Sequence, residues 1–219
     1  MIEECLTMKS NEEQTKFVIL VATFISIQLV MTLIPVLGFI PLFAVNITTL
    51  HIPTILAGIL LGVKGGAIVG LSFGLMSVAN ATFRPTLLAF MFSPFAPAPV
   101  GFSGNPLSLV VALVPRILLG VFAGMIYQFI KSKNWKIPAA TLTAVVTALL
   151  HTLMVLSLWV IIFSYPLATV LDLDGFAGVL AFTGGIIVSN AIFEAILAGI
   201  VMTALVLALE PMLKMKKNS

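Results

Sequence analysis

Charge is what this sequence has least of. Only 9% of its 219 residues are Asp, Glu, Lys or Arg, against roughly 25% in an ordinary soluble domain, while 60% are hydrophobic. A water-soluble fold of this length has no way to hide so much apolar surface. Lipid accommodates it, provided the backbone polar groups are paired internally. A single cysteine, Cys5, leaves no intrachain disulfide and no cysteine metal site. There is no HExxH and no GxxxxGK[ST], so neither a zincin centre nor a P-loop for ATP is present. The long apolar runs lack period-two alternation, which excludes barrel strands. No signal-peptide layout precedes the first run, because residues 1–16 are polar and acidic. That run is therefore expected to be retained as a helix. Length allows one compact bundle and no second soluble domain.

Six apolar segments are present, at 17–34, 51–63, 66–80, 107–130, 137–162 and 182–210. They read as the helices of one membrane domain spanning 1–219, with 1–16 as a cytoplasmic tail. Four are long enough for a hydrocarbon core of about 30 Å at 1.5 Å per residue. The second and third are short and flank Gly62-Val63-Lys64-Gly65-Gly66, which predicts a tight hairpin of short helices. Short, glycine-interrupted helices in transporter-like chains often surround a substrate site. With six crossings and the N-terminus inside, all nine lysines, from Lys9 to Lys217, fall on the inner side. The outer side then holds Arg84, Arg116, Asp172 and Asp174. This positive-inside asymmetry places both termini in the cytoplasm. It also accounts for the net charge of +3 without a nucleic-acid partner. The expected class is an all-α integral membrane protein of the plasma membrane.

Segments 35–50 and 81–106 are long, apolar and rich in proline and phenylalanine. Connectors in water are short and polar. Apolar loops with proline-fixed backbones read instead as lids over the outer end of the bundle, or as surfaces resting on lipid headgroups. Gly58, Gly62, Gly66, Gly70 and Gly74 recur every four residues. That spacing allows close backbone approach in lipid, where small residues replace the hydrophobic drive for packing. Gly120 with Gly124, Ala195 with Gly199 and Ala22 with Ser26 repeat it.

Polar side chains in so apolar a chain are costly and mark candidate sites. Asn46, Thr48, Thr49, His51, Asn80, Thr82, Arg84, Asn105, Arg116 and Asn190 lie near the expected outer face. Glu194 follows Asn190 by one turn and shares its helix face. Two arginines with amides and hydroxyls suit a small polar ligand bearing a carboxylate, since a guanidinium offers it a bidentate fork. Arg84, beside Pro85 in a loop, is the better candidate for that role. Arg116 is either a second candidate or a counter-ion to Glu194. His151, within the fifth helix, is either a helix-contact residue or a proton relay. Gly101-Phe102-Ser103-Gly104 matches the GxSG of intramembrane serine proteases, with His151 downstream. That chemistry needs the serine at a helix start beside its histidine, and Ser103 lies in a proline-studded loop. A purely structural role for the polar residues is a third reading. No catalytic or metal-binding residue is assigned.

The stretch Asn46-Ile47-Thr48-Thr49-Leu50-His51-Ile52-Pro53 leads into Ala57-Gly58-Ile59-Leu60-Leu61-Gly62 and the glycine ladder. With Phe92-Ser93-Pro94-Phe95, Gly104-Asn105-Pro106-Leu107-Ser108, Val114-Pro115-Arg116-Ile117-Leu118 and Asn190-Ala191-Ile192-Phe193-Glu194, it resembles the S-components of energy-coupling factor (ECF) vitamin transporters. The branch it most resembles is the pantothenate type. The resemblance covers nearly the whole chain. It implies a six-helix binding subunit that captures its vitamin near the outer face, under the first, third and fifth loops. It further implies a partner transmembrane coupling subunit and two cytoplasmic ATPases, which carry ATP and Mg while this chain carries no cofactor. The loaded subunit then topples in the membrane to deliver its ligand. The family's AxxxA docking pair on the first helix corresponds here to Ala22 and Ser26, with serine for the second alanine. Pantothenate, a small carboxylate with an amide and two hydroxyls on a branched apolar frame, fits a set drawn from Asn46, Thr49, His51, Asn80, Arg84, Asn105, Arg116 and Asn190. Biotin and folate, which need larger slots, are the alternative vitamins.

Overall fold

The computed structural model describes residues 2–42, 45–97, 102, 104–131 and 136–215. The elements are α1 (Ile2–Leu33), a single turn α2 (Pro35–Gly38), strands β1 (Phe39–Leu42) and β2 (Val45–Thr48), α3 (His51–Phe83), α4 (Ser108–Ile130), α5 (Lys136–Val170), α6 (Gly175–Ile186) and α7 (Ile192–Met215). A 3-10 turn at Ala89–Met91 precedes α4, and a π turn at Ile187–Ala191 joins α6 to α7. Among the described residues five stretches are long and apolar enough to cross a membrane: Asn11–Leu33, His51–Phe83, Ser108–Ile130, Ile137–Val170 and Gly175–Ala208. The described residues are all-α, as the sequence led one to expect, save for one short antiparallel hairpin in which Phe39 pairs with Thr48 and Leu42 with Val45.

Several boundaries differ from those the apolar runs gave. Helix α1 starts at Ile2 rather than near residue 17, because its polar first half is free of glycine and proline and rich in good helix formers. Helix α5 continues past residue 162 to Val170, with its one irregular residue at Phe163 (φ −121°, ψ 18°). Pro166 explains the break: it has no N–H for the carbonyl four residues back and its ring crowds that carbonyl.

The glycine ladder is where the bundle closes. A Cβ built on Gly66 would lie 2.9 Å from the Cα of Gly58, whereas eight residues of unbroken helix span about 12 Å. Helix α3 therefore turns back on itself, and it does so at Gly62 (φ 73°, ψ −169°), in a region that side-chain-bearing residues avoid. The arms 51–61 and 63–83 share one neighbour, α4. Gly58 and Gly66 both meet the carbonyl of Gly120, Gly70 meets that of Arg116, and Gly74 meets Ala112 and Leu113. The second arm thus runs antiparallel to α4 at backbone contact, which the notched surface of small residues permits. Lys64 at the turn sits over the ring of Phe17, 5.8 Å from its centroid, so the bend lies level with the polar end of α1.

The apolar interior forms two main clusters. One joins α1, α3, α4, α5 and α7 through residues such as Phe24, Phe73, Leu119, Ala148 and Met202. The other gathers Leu88, Phe90 and Met91 against Trp159, Phe163 and Val179. The segment 86–97 is thus packed into the bundle. Ser108 Oγ donates to Phe90 O (2.7 Å), the hydroxyls of Thr82 and Ser93 meet at 2.7 Å, and Phe95 N donates to Ser93 Oγ (3.1 Å).

Candidate functional site

A cleft opens at the level of these clusters, lined by Thr48, Phe92, Arg116, His151, Thr152, Val155, Leu156, Trp159, Ile186, Asn190 and Glu194. It contains about 430 Å³ of empty space out to its mouth, of which only about 60 Å³ is free for the centres of water molecules. Its walls are thus close-set, mostly apolar and aromatic, with a few convergent polar groups, as in small-molecule sites.

Arg116 is held there by its own sequence neighbour. Pro115 lacks the N–H that a helix interior would direct at Val111 O, four residues back. The freed carbonyl accepts from Arg116 Nη1 at 2.6 Å. The guanidinium lies between two rings, 5.0 Å from the centroid of Phe92 and 5.5 Å from that of Phe73, a favourable placement for a desolvated cation. Its Nε is buried without a partner. Among the described residues Arg116 forms no ion pair, so the counter-ion pairing with Glu194 that the sequence left open is not made. Glu194 accepts instead from Thr48 N–H and from Thr152 Oγ–H, each at 3.2 Å.

The unpartnered atoms define the site's chemistry. Buried polar groups are normally satisfied, yet Thr48 Oγ1, Arg116 Nε, His151 Nε2 and Trp159 Nε1 are all buried without partners, and all belong to cleft-lining residues. His51 Nε2 is likewise unpaired, while its Nδ1 lies 2.5 Å from Thr48 O. The ring of Trp159 packs edge-on against Phe92 at 5.5 Å.

The residues singled out from sequence divide into two groups. Arg116 and Asn190 line the cleft, as do Thr48, His151 and Glu194, and His51 is buried beside Thr48. Asn190 and Glu194 reach the same cleft from the π turn and the first turn of α7, and π turns often mark functional sites. The others serve local structure. Arg84 donates to the carbonyls of Thr32 (3.0 Å) and Leu33 (3.3 Å), capping α1. Asn105 Oδ1 accepts from Leu107 N (2.9 Å) at the approach to α4. Thr49 Oγ1 donates to Leu37 O, and Asn80 O accepts the backbone N–H of Arg84 (2.8 Å). Asn46 lies in β2 opposite Pro41. Ser103 lies outside the described residues. The sequence reading missed Thr152 and Trp159, and took Phe92 only as part of a motif. A tryptophan whose indole N–H needs a partner when buried was the available signal.

A cleft of unpaired donors and acceptors at one end of a bundle of apolar helices has the chemistry to hold a small polar solute. The profile for the ECF transporter substrate-specific component matches residues 16–206. Two curated relatives are the pantothenic acid transporter PanT of Lactococcus lactis subsp. cremoris and the pantothenate transporter PanT of Leuconostoc mesenteroides subsp. mesenteroides. The first is 34% identical over 204 residues, covering 92% of this chain and 96% of that protein. The second is 31% identical over 202 residues, covering 89% and 91%. The chain belongs to the family of ECF transporter substrate-specific components, a family of transport subunits and not of enzymes. It is accordingly a multi-pass protein of the bacterial cell membrane.

Proposed function

We propose that this protein captures pantothenate at the outer face of the membrane and passes it inward as the binding subunit of an ECF importer. The observation that carries the reading is the set of unpartnered buried polar atoms around one aromatic-walled cleft, in a chain whose relatives are pantothenate transporters. Arg116 receives the ligand's carboxylate, since its orientation is fixed by Val111 O and its Nε is unspent. Thr48, His51, His151, Trp159 and Asn190 supply the neutral hydrogen bonds for the amide and hydroxyls. Phe92 and Trp159 pack on the branched methyl groups. The β1–β2 hairpin and the 86–97 segment act as covers, each contributing one side chain, Thr48 and Phe92, to the cleft wall. Arg84 serves as a cap in this reading, and Asn46, Thr49, Asn80 and Asn105 shape the covers.

The chain crosses the membrane six times, counting the two arms of α3, with both termini cytoplasmic. The lysines at the Gly62 bend and the polar end of α1 support that orientation. Ala22 and Ser26 lie on the exposed face of α1 and form the contact with a transmembrane coupling subunit. ATP and Mg are bound by two ATPases on the cytoplasmic side, and this chain topples to release its ligand.

The test is uptake of labelled pantothenate into proteoliposomes. Accumulation should require this chain, the coupling subunit, both ATPases and internal ATP together. Uptake by this chain alone, or uptake independent of ATP, would overturn the importer mechanism.

A further inference from the structure

Glu194 is a buried carboxylate, 8% exposed, and among the described residues it makes no ion pair. A buried charge is costly; Arg116 shares the cleft without a direct contact, and the carboxylate's direct partners are hydrogen-bond donors. Two are visible: Oε1 accepts from Thr48 N and Oε2 accepts from Thr152 Oγ1, both at 3.2 Å. Thr48 N–H is a donor only, while the Thr152 hydroxyl shares its one proton between Oε2 and Ala148 O at 3.3 Å. A carboxylate has about four lone-pair sites, and these bonds use one on each oxygen. The remaining acceptor capacity belongs to a residue that lines the cleft. Arg116, in the same cleft, is a donor only.

We infer that Glu194 forms a second polar subsite, which recognises hydroxyl donors on the acyl end of the ligand while Arg116 takes its carboxylate. The cleft would thus select small acids that carry a carboxylate at one end and hydroxyls at the other. Thr48 adds a consequence. It ends β2, and its backbone N–H is fixed by the same carboxylate, so the residue that reads the hydroxyls also anchors the outer hairpin over the cleft. Glu194 contacts ligand directly and at the same time positions this cover. The inference rests on the reading of the cleft as the pantothenate site.

The experiment is a calorimetric titration of the purified full chain and of Glu194→Gln with two ligands. One is pantothenate; the other is the N-acyl β-alanine with the same branched acyl frame and neither hydroxyl. The wild type should prefer pantothenate by about 100-fold or more, because a site built to bond a hydroxyl rejects the analogue lacking it. Glu194→Gln keeps the side-chain volume, an oxygen for Thr48 N–H and an N–H₂ that Thr152 Oγ1 can accept, but removes the charged acceptor offered to the ligand's hydroxyls. It should bind pantothenate roughly 30- to 100-fold more weakly and the analogue within about 3-fold of wild type, so the preference collapses. A merely structural role would weaken both ligands alike and leave their ratio intact; that result overturns the inference. Should Glu194→Gln fail to fold, Glu194→Asp withdraws the oxygens by one methylene, and the same collapse of the ratio is expected. Equal binding of both ligands by the wild type also overturns the inference while leaving the pantothenate reading in place. No binding of pantothenate by folded wild-type protein overturns both.

Discussion

Replacing Pro115 by alanine should make the protein more stable and a worse binder. Proline in a helix interior costs about 3 kcal/mol relative to alanine, chiefly through the missing N–H and the crowded carbonyl four residues back. Pro115 is buried, and losing two ring methylenes removes about 1.6 kcal/mol of apolar burial. The balance favours alanine by about 1–2 kcal/mol, a rise in Tm of about 2–8 °C for a chain of this size. The restored N–H competes for Val111 O, which Arg116 Nη1 now holds at 2.6 Å. A hydrogen bond to a charged group contributes about 1.5–3 kcal/mol. If that orientation is lost, ligand affinity falls roughly 10- to 100-fold. Thermal unfolding followed by circular dichroism, and calorimetric titration with pantothenate, read the two effects on one sample. Wild-type affinity in a stabilised Pro115→Ala would refute the assignment of the proline as the device that aims Arg116. A parallel loss of stability and affinity would refute it equally.

Four further outcomes follow from the same geometry. Gly120→Ala would place a Cβ 1.9 Å from Gly66 O, against an ordinary contact of 3.4 Å or more. Helices α3 and α4 must therefore part locally, at about 1–3 kcal/mol, whereas Gly184→Ala, with nothing within 4 Å, should leave Tm unchanged or slightly higher; equal effects would contradict the close approach. Gly62→Ala, forced to keep φ near 73°, should cost about 1–3 kcal/mol of stability, measurable by the same thermal scan. Arg116→Lys should weaken pantothenate binding about 100-fold through loss of the planar fork, while Arg84→Ala should change it less than about 3-fold and lower Tm only slightly, as expected of an exposed helix cap. In a Trp135→Phe background, Trp159 is the sole tryptophan, and its emission should change saturably with pantothenate at the calorimetric Kd. A flat signal during demonstrable binding would place the ligand elsewhere.

Hydropathy made the spanning segments legible, because lipid demands long apolar helices and the chain has few other features. The reversal at Gly62 was also readable, since glycine marks both the positive φ and the backbone contacts with α4. Helix ends were read less well. Apolarity reports where a helix enters lipid, not where its hydrogen bonds stop, so the polar start of α1 and the extension of α5 beyond Phe163 were lost. The hairpin of Phe39–Leu42 with Val45–Thr48 was hidden in a stretch whose proline and apolar residues suggested only a loop. At the site, spacing set the depth of each polar residue but not its direction. A helix that is apolar on all sides has no polar face to reveal which way a side chain points. Arg84, in a loop beside Pro85, therefore looked the better candidate, though it caps α1 while Arg116 lies between Phe73 and Phe92. Trp159 passed unnoticed because an aromatic in an apolar run reads as core until its unpaired indole nitrogen is seen.

The central claim, that the cleft around Arg116 holds pantothenate, is tested most directly by calorimetric titration of the purified, detergent-solubilised chain with pantothenate, biotin and folate. The account predicts one-to-one, submicromolar binding of pantothenate alone. Binding of biotin or folate with pantothenate silent, or no binding of any of the three by protein shown to be folded, would contradict it.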